Sequence, residues 1–277
     1  MKRIIHQFCF ASLTIFSMMN AHAATIDAGV KTNWTYKGNL GPERWAQLNP
    51  AFALCAAGKE QSPIDIPQKT KKSDYQLAVN YQNAPLVVMN DGETSLNLGA
   101  DQLIINDGHS IQLNFPQNPS VEKVTFNGIE YQLLQFHFHS PSENLWHGQN
   151  YPLEIHFVNQ GPAGKAIVLA VFVKSGETNP TLQKIIENLP KEHGKEFAIE
   201  GQTVNPGNLL PDNKGYYHFE GSLTTPPCSE GFDWVIMSTS ITASPAQILQ
   251  IRQAMGGSNA RPTQPLHKRI ISNSQED

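Results

Sequence analysis

The chain has 277 residues, of which 16% are charged, and its formal net charge is −4. Its 20 glycines and 19 prolines are close to the usual share in globular proteins, which excludes a collagen and argues against a largely disordered chain. A weakly acidic chain does not imply the broad basic face that nucleic acid requires, so we expect no nucleic-acid partner. The length suits one large domain or two small ones, and a single all-β domain often reaches roughly 200–250 residues.

The amino-terminal residues have the layout of a secretory signal peptide. Lys2 and Arg3 precede the apolar run Phe8 to Met19, which is followed by the small-residue motif Ala21-His22-Ala23. An uncleaved membrane anchor is the alternative, but the run is shorter than the roughly 20 residues that span a bilayer. We therefore expect a signal peptide over 1–23 and a mature domain over 24–277. The mature chain is expected to be periplasmic or secreted, without stable membrane insertion.

Export changes the expected state of the cysteines. Cys9 leaves with the signal peptide, so Cys55 and Cys228 remain in the mature chain. In an oxidising compartment the simplest interpretation is one disulfide, whereas two unpaired thiols in a core are the alternative.

Short segments separated by turn residues predict many strands. Ala166 to Lys174 is apolar almost throughout, which is typical of a central strand buried on both faces. The other candidates in chain order are Leu86–Met89, Ser95–Leu98, Gln102–Asn106, Ser110–Phe115, Lys123–Phe126, Tyr131–Ser140, Leu153–Asn159, Tyr216–Phe219 and Phe232–Thr239.

Helices are predicted to be few. Ser244 and Pro245 supply an N-cap and a first-turn proline for a helix over Ala246 to Met255. Shorter helices are predicted over Thr181 to Leu189 and within Pro42 to Leu48. The predicted fold is mainly β, a single domain with a large, mostly antiparallel sheet and short peripheral helices.

Histidines alternate with aromatic residues after Leu134. Because side chains of a strand point alternately to its two faces, Gln135, His137 and His139 are expected on one face. The apolar side chains expected on the opposite face, directed into a core, are Leu134, Phe136 and Phe138.

A third histidine lies on the next predicted strand, where Glu154 and His156 share a face. If the two strands pair, three imidazoles meet, and three neutral imidazoles that leave a fourth position open are typical of catalytic Zn²⁺ sites. A metal-bound histidine usually donates its other N–H to a carboxylate, amide or carbonyl. Gln135 and Glu154 each lie two residues before a histidine and are candidates for that role.

Further motifs accompany the histidine segment along nearly all of the mature chain. They are Trp34-Thr-Tyr36, Gly41-Pro-Glu-Arg-Trp45, Gln61-Ser-Pro-Ile-Asp-Ile66, Asn106-Asp-Gly-His109, Gln135 to Asn144, Tyr151 to His156, Gly221-Ser-Leu-Thr-Thr-Pro-Pro227 and Asn259-Ala-Arg-Pro-Thr-Gln-Pro265. In this order they resemble the α-class carbonic anhydrases, in particular the bacterial secreted or periplasmic members. The resemblance implies a central sheet of about ten strands and an enzyme that hydrates carbon dioxide reversibly to bicarbonate and a proton.

The resemblance also implies a catalytic arrangement. His137, His139 and His156 match the Zn²⁺ ligands, and a zinc-bound hydroxide is the nucleophile that attacks carbon dioxide. Thr224 matches the threonine that accepts a hydrogen bond from this hydroxide, and Glu143 matches the glutamate that accepts one from the threonine.

His109 matches the proton shuttle by the same resemblance. It follows an Asn-Asp-Gly turn, which is expected to place it at the rim of a cavity. Unperturbed histidine has a pKa of about 6.5, close to the pH at which proton transfer is needed. Without the resemblance, an exposed turn histidine is the simpler interpretation.

Further positions match family roles. The carbon dioxide site is matched by Val158, Val168, Leu223, Thr224, Thr225 and Trp234, of which the apolar members would also suit plain core packing. The groups that bind the histidine ligands are matched by Gln135, Glu154 and the backbone of Asn259. Cys55 and Cys228 match positions that are bridged in secreted members. By resemblance alone, a homodimer is also expected.

The chain departs from the family pattern at two positions that are often histidine, Asn144 and Asn159, while His147 and His218 match no family role. The spacing His137-x-His139-x-x-x-Glu143 also fits the start of a cupin motif, in which Glu143 would bind iron. A zinc-binding adhesion protein without catalysis is a second alternative. Metal content and a carbon dioxide hydration assay discriminate the three hypotheses.

Overall fold

The computed structural model describes residues 33–90, 93–97, 102–106, 110–115, 122–189 and 195–274. The expected signal peptide and His109 lie outside the described residues. Within the described part, no helix combines the length and the hydrophobicity that a membrane crossing requires.

Strands dominate the described residues. In chain order they are β1 Asp65–Ile66, β2 Lys71–Lys72, β3 Leu77–Asn80, β4 Ala84–Asn90, β5 Glu93–Asn97, β6 Gln102–Asn106, β7 Ile111–Asn114, β8 Lys123–Phe126, β9 Ile129–His139, β10 Leu145–Trp146, β11 Leu153–Gln160, β12 Ala166–Ser175, β13 Lys195–Val204, β14 Tyr216–Ser222, β15 Glu230–Met237, β16 Ile241–Ala243 and β17 Ser272–Asn273.

Helices are short and peripheral. The α-helices are α1 Trp45–Leu48, α2 Leu54–Ala57, α3 Pro180–Glu187 and α4 Pro245–Ala254. Single 3₁₀ turns cover Gly38–Leu40, Pro42–Arg44, Pro50–Phe52, Pro162–Gly164 and Pro206–Leu209. Helix α4 begins with a capping box, because Ser244 Oγ accepts from the Gln247 backbone while the Gln247 side chain accepts from the Ser244 backbone.

A mixed sheet of 13 strands forms the centre of the described residues. Ten of them follow one path in the order β13-β4-β7-β9-β11-β12-β15-β14-β17-β2, and β3, β8 and β16 join at its side. Pairing is mostly antiparallel, as predicted, with parallel pairs between β12 and β15, β12 and β16, and β17 and β2. The mainly β fold is therefore confirmed, and the short side strands raise the strand number above the expected ten.

Strand β12 lies in the middle of this sheet. Its residues Ala166 to Val173 are all buried, which confirms the prediction from its uninterrupted apolar sequence. Because both faces of the strand are buried, its sequence shows no alternation of apolar and polar residues. The strand pairs with β11 on one side and with β15 on the other.

Two apolar clusters cover the two faces of the sheet. The larger contains Phe136, Phe138, Ile155 and Phe157, and the smaller contains residues of β11, β12 and β15, among them Val158, Val168 and Trp234. Because neighbouring residues of a strand point to opposite faces, the alternation of phenylalanine and histidine in β9 places the imidazoles on the face opposite the larger cluster.

The prediction for Leu134 is wrong. Leu134 packs against the smaller cluster, and Leu133 occupies the larger one. The register shifts at this point, since Val158 pairs with Gln135 and Asn159 pairs with Leu133. Leu134 is therefore an extra residue in β9, and such a bulge reverses the alternation of faces beyond it.

Candidate metal centre

Three buried histidines meet on the paired strands β9 and β11. His156 lies directly opposite His137 in the antiparallel register, and His139 lies opposite Glu154. One ring nitrogen from each of His137, His139 and His156 lies within 4.8 Å of the other two. The period-two pattern of β9 and the pairing with β11 together produce this cluster.

The second ring nitrogen of each histidine faces a polar atom of the protein. Nδ1 of His137 is 2.7 Å from Oε1 of Gln135, and Nδ1 of His139 is 2.8 Å from the carbonyl oxygen of Asn259. Nε2 of His156 is 3.2 Å from Oε1 of Glu154. The Gln135 and Asn259 oxygens orient the rings of His137 and His139 and favour the tautomers that leave the facing nitrogens with a lone pair. The contact of Nε2 of His156 with Glu154 is a close approach without hydrogen-bond geometry.

The electrostatics of the cluster favour neutral imidazoles. Burial lowers the pKa of His137 well below its usual value, and the neighbouring His139 and His156 lower it further. Burial and then His139 likewise lower the pKa of His156. Neutral imidazole is the form that binds a metal ion. The donor set, its spacing and its orienting acceptors fit Zn²⁺ with an open fourth position.

Glu154 is held by several donors. The backbone N–H groups of Glu143 and Asn144 donate to Oε2 at 2.7 and 2.9 Å, and Nδ2 of Asn144 donates to Oε1 at 2.7 Å. Burial raises the pKa of Glu154 to about 7, and the hydrogen bonds from Asn144 oppose this rise. These donors offset part of the cost of burying the charged carboxylate, although burial remains the larger effect.

Glu143 is the second buried carboxyl group at the cluster. Its Oε2 is 3.5 Å from Nε2 of His139 and 3.9 Å from Nδ1 of His156. Burial raises its pKa to about 8, against the hydrogen bonds from the Arg261 backbone and the Thr224 side chain. The structure therefore brings Thr224 and Glu143 together beside the histidines.

Thr224 lies on a buried loop that a disulfide ties to the amino-terminal part of the domain. Cys228 is bonded to Cys55, 173 positions earlier. The backbone N–H of Cys228 donates to the carbonyl of Thr225 at 2.8 Å, and Nε2 of Gln61 donates to the Cys228 carbonyl at 2.9 Å. These links restrain the loop that carries Thr224 and Thr225.

Apolar side chains lie next to the histidines on the same side of the sheet. Val158, Val168, Leu223 and Trp234 are all buried in the smaller cluster. Val158 is paired with Val168, and Val168 with Trp234, across three neighbouring strands. The Trp234 ring meets the His156 ring edge to face at 4.9 Å. The four residues thus form one apolar wall that reaches the cluster at His156.

Two histidines without a family role take other places. His147 is exposed at a turn, where its ring contacts Trp146. Nε2 of His218 is 2.8 Å from Oδ1 of Asp233. Neither belongs to the three-histidine group.

Sequence reasoning missed the contributions of Arg261 and Asn144. Arg261 is buried, its backbone N–H donates to Glu143, and its guanidinium donates to Gln61 and to the carbonyls of Ser62 and Cys55. The sequence did single out both positions. Arg261 lies within the motif Asn259 to Pro265, which resembles the family, and Asn144 departs from the family pattern. Neither observation reveals the bonding partners, most of which are distant in sequence.

Comparisons with known proteins agree with this geometry. The family model for eukaryotic-type carbonic anhydrase matches residues 40–275. A carbonic anhydrase from Nostoc sp. is 38% identical over 94% of this chain and 93% of its own length. One from Neisseria gonorrhoeae is 38% identical over 88% of each. The solved α-carbonic anhydrase of Thermovibrio ammonificans, in complex with the inhibitor sulfanilamide, is 36% identical, with a TM-score of 0.78 over 88% of this chain and 100% of that one.

The match extends over most of the domain, in sequence and in three dimensions. It includes both strands of the histidine cluster and the loop that carries Thr224. The chain therefore belongs to the eukaryotic-type, or α-class, carbonic anhydrases and is an enzyme of that family.

Proposed function

We propose that this chain hydrates carbon dioxide reversibly to bicarbonate and a proton with one Zn²⁺ ion held by His137, His139 and His156. The observation that carries the proposal is the convergence of three buried imidazole nitrogens within 4.8 Å. Gln135, the carbonyl of Asn259 and Glu154 support these ligands through their other ring nitrogens. A Zn²⁺ ion held by these three residues would lower the pKa of water to about 7 and so supply a nucleophile near neutral pH.

Thr224 and Glu143 orient the nucleophile. The Thr224 hydroxyl donates its proton to the Glu143 carboxylate, so its lone pairs remain to accept a hydrogen bond from the nucleophile. That bond directs the nucleophile's own lone pair toward the substrate, which is an orientation effect. The arrangement is supported by the Thr224 side chain, which lowers the pKa of Glu143, and by the Arg261 N–H, which donates to Oε1 of the same carboxyl group at 2.8 Å.

The wall formed by Val158, Val168, Leu223 and Trp234 receives carbon dioxide, with Thr225 at its polar edge. Carbon dioxide is small and apolar, and a buried apolar surface beside the histidines suits it. Bicarbonate is charged and is solvated better by water than by such a wall. The wall therefore favours entry of the substrate and departure of the product.

Proton removal and export complete the proposal. His109 takes the proton that each hydration cycle releases and passes it to buffer. Residues 1–23 direct the chain to the periplasm or beyond, and 24–277 is the mature enzyme. The Cys55–Cys228 bond supports an oxidising compartment. A homodimer remains an expectation from the family.

Metal analysis and a stopped-flow hydration assay on the same purified sample test the proposal. One zinc per chain together with rapid hydration is expected. Iron at this stoichiometry would favour the cupin hypothesis. Zinc without hydration would favour a binding protein. A His156→Ala variant should lose zinc and most of the activity, and full activity in a metal-free His156→Ala sample would refute the site.

A further inference from the structure

Asn144 joins the histidine cluster to a distant segment of the chain. Its side chain is fully buried, with 0% exposure. Nδ2 donates to Oε1 of Glu154 at 2.7 Å, and Oδ1 accepts the backbone N–H of Ile64 at 3.0 Å. The amide nitrogen is a donor and faces an acceptor, whereas the amide oxygen is an acceptor and faces a donor. The hydrogen-bond network therefore determines the orientation of the amide.

The two oxygens of Glu154 are held differently. Two backbone N–H groups, of Glu143 and Asn144, hold Oε2. Oε1 accepts a hydrogen bond from the amide nitrogen of Asn144 at 2.7 Å and lies 3.2 Å from Nε2 of His156, a close approach without hydrogen-bond geometry. The backbone donors fix where the carboxylate sits, whereas the Asn144 amide fixes how far Oε1 turns toward the imidazole.

We propose that Asn144 is a positioning residue that, through Glu154, sets the orientation of the His156 ring and thereby the retention and geometry of the bound metal. The inference rests on the proposed function, because it concerns the third imidazole of the same site. An acceptor that orients a ligand histidine typically changes metal affinity about 10- to 100-fold when it is disturbed. Asn144 acts one step further out and holds that acceptor in place.

Asn144→Asp is the sharpest variant, because it changes one atom of the side chain. An oxygen remains for the Ile64 N–H, but the donor to Glu154 becomes an oxygen that lies next to Oε1. Two carboxyl oxygens at that distance must share a proton or move apart, and either change alters the surroundings of His156. Asn144→Ser is the uncharged counterpart, since its hydroxyl is too short to reach Glu154.

Asn159→Asp is the matched control. Asn159 is also fully buried, in strand β11 of the same sheet. Its Nδ2 donates to the Phe157 carbonyl at 2.9 Å, and its Oδ1 accepts from the Tyr81 hydroxyl at 2.7 Å. The substitution makes the same chemical change at the same burial without removing a partner of Glu154. Asn144→His is the conservative variant, because an imidazole N–H can still donate to Glu154.

Two measurements separate positioning from general stability. The zinc dissociation constant is obtained by competition with a chelator. The visible absorption spectrum of the Co²⁺-substituted protein reports the coordination geometry directly. Thermal unfolding of each metal-free variant measures the structural cost alone.

We expect Asn144→Asp and Asn144→Ser to weaken zinc binding about tenfold or more and to change the Co²⁺ spectrum, while Asn144→His and Asn159→Asp stay within about twofold of the unmodified chain. If Asn144→Asp does not fold, Asn144→Ser decides. Equal zinc affinity and equal spectra for the Asn144 variants and Asn159→Asp would overturn the inference, even if stability falls. Failure of the unmodified chain to bind zinc would instead refute the proposed function.

Discussion

The backbone N–H of Arg261 donates a hydrogen bond of 2.8 Å to Oε1 of Glu143. The guanidinium of the same residue is fixed by the side chain of Gln61 and by the carbonyls of Ser62 and Cys55. The Glu143 carboxylate is thus anchored by a rigid backbone donor, and its remaining lone pairs can accept a hydrogen bond from Thr224. A carboxylate held in this way can direct a hydroxyl with little reorganisation during the reaction.

Glu143 and Thr224 should therefore act as one unit. Glu143→Gln is expected to lower the hydration rate about a hundredfold while zinc stays bound, because the amide can no longer force the Thr224 hydroxyl to donate toward it. The double variant with Thr224→Ala should lose clearly less than the product of the two single losses. Stopped-flow rates on samples of equal zinc content measure this. Strictly multiplicative losses would show that the two side chains do not share a hydrogen-bond chain.

The raised pKa of Glu143 predicts a pH effect on the metal-free protein. Without the charge of a bound metal ion, its pKa is about 8 in the folded state, against about 4.3 in an unfolded chain. The folded state therefore binds the extra proton, so this group's contribution to stability falls as the pH rises from about 4.3 to 8. The limiting slope is about 1.4 kcal/mol per pH unit. A bound cation nearby favours the carboxylate form that accepts a hydrogen bond from Thr224.

Comparison with Glu143→Gln isolates this contribution. The free energy of unfolding of metal-free Glu143→Gln, minus that of the unmodified chain, should increase with pH over this range and level off above it. Urea unfolding after removal of metal measures the difference, with Glu177→Gln, at an exposed position, as the control. Parallel curves for the unmodified chain and Glu143→Gln would contradict the prediction.

Removing the disulfide should destabilise the domain. The bond between Cys55 and Cys228 closes a loop of 173 positions, for which the chain-entropy model gives an upper limit of about 5 kcal/mol. We expect the double variant Cys55→Ser, Cys228→Ser to unfold at lower urea concentration and to be insensitive to reductant. Its stability should equal that of the reduced unmodified chain. Non-reducing mass analysis that finds two free thiols in exported protein would show that the bond does not form.

His109→Ala should slow proton removal without disturbing the metal. Its maximal hydration rate is expected to fall in weak buffer and to recover when imidazole is added, because imidazole replaces the missing proton acceptor. Exchange of carbon dioxide with bicarbonate at chemical equilibrium needs no shuttle and should barely change. His147→Ala, at an exposed turn, is the control. An unchanged rate in weak buffer would assign proton transfer to another group.

Local patterns predicted the parts of the site that lie within single strands. The alternation of Gln135, His137 and His139 with phenylalanine was enough to place the imidazoles on one face. The pattern failed at Leu134, because no residue there indicates the β-bulge that adds one residue to β9. Strand β13 was not predicted. Its sequence is rich in charged residues, and it contains Gly201 with a positive φ of 70° where the register shifts.

Partners that are distant in sequence required the structure. The carbonyl that faces His139, the amide that holds Glu154 and the donors of Arg261 all depend on which segments meet in three dimensions. The periodicity of a sequence describes one helix or strand at a time and therefore carries no information on contacts between distant segments. Resemblance to a family supplied some of these pairs, but it could not supply the bonds of Asn144, where this chain differs from the common pattern.

The contact between Nδ1 of His139 and the Asn259 carbonyl spans 120 positions. During synthesis the three histidines emerge long before the residue that orients one of them. A nascent chain that has not yet exposed residue 259 can therefore form the two strands but lacks a finished binding site. Capture of the proposed Zn²⁺ ion with full affinity would then be a late event, after nearly the whole polypeptide has been synthesised. If the proposed signal peptide exports the chain before it folds, the proposed metal loading follows export.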